Sequence, residues 1–235
     1  MPTALDRTRD VGAHAMTDLP PDPTLDEMRA ALAPLVASNA AFDGWKPVAV
    51  DMAADALGID RDVARLAFPG GAVDMIDAWF AHVDAEMLRR LPPETLGAMK
   101  IRQKIAALVE ARLDIVAPDR EALRRALAIL AMPQNVARGL RLGWRAADVM
   151  WRAAGDIATD YNHYSKRTLL AGIYAATVTV FLDDESEGQA DTRAFLARRI
   201  DDVMRFEQAK AKWTGQPHRL SLSRFVGRLR YPPAA

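Results

Sequence analysis

From Thr24 to Lys212 the sequence is cut into segments by helix start and stop signals. No Val, Ile or Thr-rich run between them alternates as a half-buried strand would. This punctuation restricts the chain to an all-α fold. Thr24 with Glu27 predicts a capping box and a helix to about Ser38, because each side chain can satisfy a free amide of the first turn. Pro47 suits the first position of a second helix, where its missing N–H is not needed, and Gly58 ends that helix. Asp60 can cap a third helix through about Phe68, and a fourth runs from about Ala72 to Leu91 before Pro92-Pro93. Further helices are expected over 95–116, 119–132, 134–153, 162–182 and 190–212, divided by Pro118, Pro133 and the acidic turn from Asp183 to Gly188.

The chain has 235 residues, half of them apolar and 26% charged, a composition that supports a real core in one large domain or a fused pair. It has no Cys, which excludes disulfides, thiolate metal sites and thiol nucleophiles. Residues 1–23 carry four Asp and, near their end, Pro20, Pro21 and Pro23, without the apolar run of a secretory signal, and read as a loose tail. The longest uncharged stretch, Thr168 to Leu182, falls short of the about 18 apolar residues that suggest a spanning helix.

Residues 24–91 have the layout of a helix-turn-helix unit, with a short turn, Leu57 to Ile59, between the second and third helices. Its charge opposes that use. From Asn39 to Leu88 there are three basic and nine acidic residues, a net charge of −6, and such a face repels a polyphosphate. The expectation is a packing unit that takes no nucleic acid. Catalysis also reads poorly. His14, His82, His163 and His218 are scattered, no E-x-x-H pair is present, and no P-loop, dinucleotide fingerprint or G-x-S-x-G elbow occurs. Asp183, Asp184, Glu185 and Glu187 could hold a cation but lack the EF-hand spacing, and suit a solvated loop. No metal and no cofactor is expected.

The most distinctive text lies between Ala128 and Arg167, where Trp144, Trp151, Tyr161, His163 and Tyr164 crowd a short span together with many polar residues. Its elements are Ala131 to Asn135, then Asp148-Val149-Met150-Trp151 with Ala154-Gly155-Asp156, then Thr159 to Arg167. They are followed by Leu170 to Tyr174, the acidic turn, and Thr192 to Ile200. At this spacing the chain resembles the COQ9 family of ubiquinone-biosynthesis proteins, over about Thr24 to Lys212. The resemblance implies a TetR-repressor-like fold that does not bind DNA. It also implies a homodimeric, non-catalytic, lipid-binding accessory protein that presents quinone intermediates to a membrane-associated COQ7-like hydroxylase. The family's exposed partner patch carries over onto Met150, Asp160, Tyr164 and Arg167, with Lys166 beside them. His163 stands where the family has Trp, and an imidazole buries less apolar area than an indole. Each residue also has a plainer role: Asp160 as a helix cap, Lys166 and Arg167 as solvated charges, Trp144 and Trp151 as core.

A carrier of isoprenoid quinone intermediates or phospholipid needs an apolar cavity. Candidate walls are Ile129, Leu130, Met132, Leu140, Leu142, Trp144, Met150, Trp151 and Ile173, which would equally well fill a core. The helix from Leu169 to Leu182 is apolar on nearly every face, which calls for burial on nearly every side, as at a two-fold interface with the helix over 190–212. Residues 92–213 are therefore expected to form the lipid-binding and dimerisation region, and 214–217 a linker. Over 218–231, Leu222, Phe225, Val226 and Leu229 share one helical face, while Arg219, Arg224, Arg228 and Arg230 lie elsewhere with no acid among them. This pattern favours a helix lying on an anionic membrane surface over one docked on its own domain. The expected location is cytoplasmic, peripheral to the inner face of a bacterial cytoplasmic membrane. The alternative is a TetR-like ligand-responsive transcriptional regulator; a third class is an enzyme acting on a lipid.

Overall fold

The computed structural model describes residues 20, 22–156 and 161–214, with the backbone alone at 161–163, 204 and 206–214. Among them are α1 (Leu25–Asp43), α2 (Pro47–Leu57), α3 (Arg61–Leu66), α4 (Ala72–Arg90) and α5 (Pro93–Gly97). These are followed by α6 (Ile101–Val116), α7 (Arg120–Leu130), α8 (Val136–Ala153), α9 (Tyr161–Asp183) and α10 (Ala190–Thr214). The described residues contain no strand, so this part of the chain is all-α.

Local chemistry sets the helix ends. The Thr24 hydroxyl accepts from Glu27 N at 3.3 Å while the Glu27 carboxylate accepts from Thr24 N at 2.8 Å, the reciprocal pair of a capping box. Gly58 takes φ +69° and closes α2, and Asp60 Oδ1 accepts from the amides of Asp62 and Val63 to open α3. Three boundaries differ from expectation. α1 continues past Ser38 to Asp43 because Ala33, Val36, Ala37 and Ala40 bury one face and Gly44, at φ +78°, is the first break. The single helix expected over 95–116 is two, with a turn at Ala98 to Lys100. The third helix stops at Leu66, short of Phe68.

Long-range bonds fix how the helices stack. Arg102 pairs with Asp201 at 2.5 Å and Arg193 with Asp114 at 3.4 Å, so α10 runs antiparallel to α6. Lys104 Nζ donates to Ala154 O at 3.2 Å, which puts the end of α8 beside the start of α6. The start of α6, the end of α8 and the second half of α10 therefore share one end of the molecule. At the other end, Ser38 donates to Asp119 at 3.0 Å and Trp45 Nε1 to Ala122 O at 3.0 Å, tying the helix-turn-helix unit to the far end of α6 and the start of α7. The buried apolar cluster is continuous from Met28 in α1 to Ile200 in α10.

One row of charges crosses this core. Asp74, Asp77 and Asp84 of α4 face Arg138 and Arg145 of α8 and the buried Arg112 of α6, whose Nη1 donates to Asp84 Oδ1. Arg112 also stacks on Tyr174 of α9, 5.1 Å from the ring centre. Removing one member of a buried pair leaves the other charge without compensation. Arg112→Ala should therefore lower stability by about 3–5 kcal/mol. Arg112→Met with Asp84→Leu should recover much of that loss, both measured as urea midpoints.

Candidate partner and lipid site on helices α8 and α9

Gly155, at φ +92°, ends α8 in a conformation that a side chain would strain, and Asp156 N donates back to Trp151 O at 3.0 Å. That turn aims Asp156 at α9. Asp156 Oδ1 accepts from Lys166 Nζ at 2.7 Å and its Oδ2 accepts from Arg167 Nη1 at 3.1 Å. The Arg167 Nε donates to Asp148 Oδ1 at 2.5 Å, and Arg152 pairs with the other oxygen of Asp148 at 2.7 Å. Trp151 Nε1 donates to Lys166 O at 3.0 Å, and the Lys166 ammonium lies 5.5 Å from the Trp151 ring centre. Two carboxylates of α8 and its turn thus clamp two cations of α9. Burial pushes the Asp156 carboxyl up, yet the bonds from Lys166 and Arg167 outweigh it and hold the group below the usual carboxylate range.

One large side chain stands out from this clamp. Tyr164 is 62% exposed, with its ring 6.0 Å from that of the half-buried Trp144. The expected exposure of Met150 and Arg167 is corrected. Met150 has no exposed surface because it sits on the core side of α8 with Leu142, Ala146 and Ala147, and Arg167 is 1% exposed because both of its anions lie beneath it. Buried in this way, neither offers a contact surface; each packs beneath the exposed residues of α8 and α9. Lys166 is half-buried. Asp160 and the His163 side chain lie outside the described residues.

The expected lipid-lining residues do not enclose one cavity. Leu130, Leu142 and Met150 are buried in the core, Ile129, Trp144, Trp151 and Ile173 are half-buried, and Met132 and Leu140 are 44% and 71% exposed. Those on α8, Leu140, Leu142, Trp144, Met150 and Trp151, lie on different sides of the helix and face both core and solvent. The structure instead shows an open cleft of about 360 Å³ between α4 and α8, lined by Leu142 and the charged Asp77, Arg138, Arg141 and Arg145. Sequence reasoning quoted Asp148 and Asp156 within the motif without giving them a task. It passed over Arg138, Arg141 and Arg145, although their i, i+3, i+7 spacing was legible. The acidic turn is a helix cap: Asp184 accepts from Ser186 and from both the amide and hydroxyl of Thr192, bonds that keep its carboxyl far below the usual range. No group of potential metal ligands occurs among the described residues. The residues expected to contact a membrane, Leu222, Arg224, Phe225, Val226, Arg228 and Leu229, lie outside the described residues. Among the described helices none is long and apolar enough to cross a membrane.

The profile of the COQ9 family matches residues 136–207, the segment that contains the whole clamp. The chain is also 35% identical over 68% of its length to the mitochondrial ubiquinone biosynthesis protein COQ9 of Rattus norvegicus, covering 54% of that protein. This chain belongs to the COQ9 family. The Homo sapiens COQ9 protein is 34% identical over 68% of this chain and 52% of its own length. The Drosophila melanogaster COQ9 protein is 27% identical over 83% and 60%. The chain thus spans about half the length of the curated relatives it matches. Among solved structures, a TetR transcriptional regulator from Nitrosomonas europaea superposes with TM-score 0.60 at 25% identity, covering 74% of this chain and 96% of that one. The fold of this COQ9-family chain is TetR-like.

The clamp has a pH signature. Because the folded-state pKa of Asp156 is lowered, its contribution is fully present above the unfolded value, near 3.8, and is lost as pH falls through the folded value. Asp156→Asn should destabilise the protein at pH 7. Its deficit relative to wild type should shrink below about pH 4, as read by chemical unfolding at both pH values.

Proposed function

We propose that this COQ9-family chain is a non-catalytic accessory protein of ubiquinone biosynthesis. In this reading it takes up an isoprenoid quinone intermediate or phospholipid and presents it to a COQ7-like hydroxylase at a membrane surface. The relatives' names supply the pathway. The observation that carries the partner reading is the exposed Tyr164 ring, seated on Trp144 above a clamp of two carboxylates and two cations. A rigidly mounted, exposed aromatic is what a protein interface uses as an anchor. The clamp stands at the end of the molecule formed by the start of α6 and the end of α8.

The regulator reading is weaker on charge. Arg61 and Arg65, the cations of α3, are bound bidentately by Asp55 and Asp51 of α2, which consumes the charge a phosphate backbone would need. A homodimer is part of the proposal. α9 leaves Thr168, Gly172, Ala175, Ala176 and Thr179 exposed on one side, and such small residues let helices of two copies approach closely. Attachment would be peripheral, at the inner face of a bacterial cytoplasmic membrane.

A strain lacking the gene should accumulate an under-hydroxylated quinone precursor, measured by mass spectrometry of extracted lipids. Complementation with Tyr164→Ala should restore folded protein but not ubiquinone. Normal ubiquinone content in the deletion strain would reject the pathway assignment, and full rescue by the variant would reject the anchor.

The segment over 218–231 is expected to supply the bilayer contact, each Arg contributing about 1 kcal/mol near an anionic surface. Truncation after Thr214 should preserve the melting temperature while abolishing co-sedimentation with anionic vesicles. Binding by the full chain should weaken as salt rises.

A further inference from the structure

The cleft between α4 and α8 has no place in the partner reading, and its chemistry is specific. Arg138, Arg141 and Arg145 stand at i, i+3 and i+7, so their guanidinium groups share one face of α8. Two of them are anchored from behind. Arg138 Nη2 donates to Asp74 Oδ1 at 2.5 Å; Arg145 Nη1 donates to Asp77 Oδ1 at 2.5 Å and its Nη2 to Asp77 O at 3.1 Å. A guanidinium carries five N–H donors, so these bonds leave several over. The Arg145 Nε is buried without a hydrogen-bond partner among the described residues, although Asp84 Oδ2 lies 3.4 Å away. Arg141 is exposed and has neither an ion pair nor a hydrogen bond among the described residues.

The balance of charge is positive. Asp74 and Asp77 offset two of the three arginines, while Asp84 is engaged by the buried Arg112. On the adjoining side of α8 an apolar row lies open to solvent: Val136 is 42% exposed and Leu140 71%, with Met132 just before the helix. Forked guanidinium groups match the oxygens of a phosphate, and anchoring two of them in advance reduces the ordering cost of binding. We propose that this cleft binds a phosphate group. The phosphate is carried either by the headgroup of an anionic phospholipid whose chains lie along Val136 and Leu140, or by free phosphate. Arg141 closes on the anion, since it has donors to offer and no carboxylate to leave.

Arg141 is the clean probe because its replacement breaks no ion pair among the described residues, whereas changes at Arg138 or Arg145 would strand Asp74 or Asp77. The full chain is titrated separately with inorganic phosphate, dihexanoyl phosphatidylglycerol below its micelle concentration, and dihexanoylglycerol, which lacks the phosphate. Heat and the arginine Nε–H signals in NMR are followed. Saturable binding of a phosphate-bearing probe is expected, weakened about tenfold by Arg141→Gln with no change in melting temperature. If the phospholipid binds more tightly than phosphate and Leu140→Ser removes the difference, the source is a lipid headgroup. Equal affinities indifferent to Leu140→Ser identify free phosphate. No saturable binding, binding indifferent to Arg141→Gln, or equal binding of dihexanoylglycerol would overturn the proposal.

Discussion

Arg112 has almost no exposed surface, yet it carries a full charge between Asp84 of α4 and the ring of Tyr174 of α9. Desolvating a guanidinium in a helical core is costly, so α4, α6 and α9 must meet in the one arrangement that supplies both partners. The neighbouring pairs extend that demand along α4: Arg138 needs Asp74, and Arg145 needs Asp77. Apolar side chains such as Leu32, Ile76, Leu108 and Leu113 fill the space between helices without specifying register. The charged row restricts it, because each of these cations must find a carboxylate across the helix interface.

The same pairing recurs at both ends with different consequences. In the helix-turn-helix unit, Asp51 and Asp55 bind Arg65 and Arg61, so the surface that would meet a duplex is already neutralised by its own preceding helix. At the opposite end, Asp148 and Asp156 bind Arg167 and Lys166, which leaves Tyr164 as the exposed feature of a stiff surface. In one case the ion pairs spend the charge that a nucleic acid would need; in the other they hold the surface on which the proposed anchor stands. The TetR-like fold alone distinguishes neither outcome, because function resides in the groups mounted on it.

Helix ends were the most legible part of the sequence. The Thr24–Glu27 box, Pro47, Gly58 and Asp60 act within four residues of themselves, and their bonds form wherever the chain goes helical. The end of α1 was misread because Ser38 looks like a boundary locally, while burial of Ala40 against the rest of the unit carries the helix on to Asp43. The site was legible as text and partly misread as geometry. Met150 and Arg167 stand in the right motif, but their exposure was carried over with the family's partner patch, and packing buries both.

By itself the sequence determined the all-α class, the family signature from Asp148 to Arg167 and the acidic balance of the N-terminal unit, because these depend on residue type and short spacing. Tertiary structure decided which charges are spent. The Arg167 bond to Asp148 spans 19 positions and the Arg138 bond to Asp74 spans 64, while Arg141, one turn away, has no such partner among the described residues. An arginine reads the same in the sequence whether it is clamped or free. The difference arises from which carboxylate the packing of another helix brings within about 3 Å, and no local pattern encodes that distance.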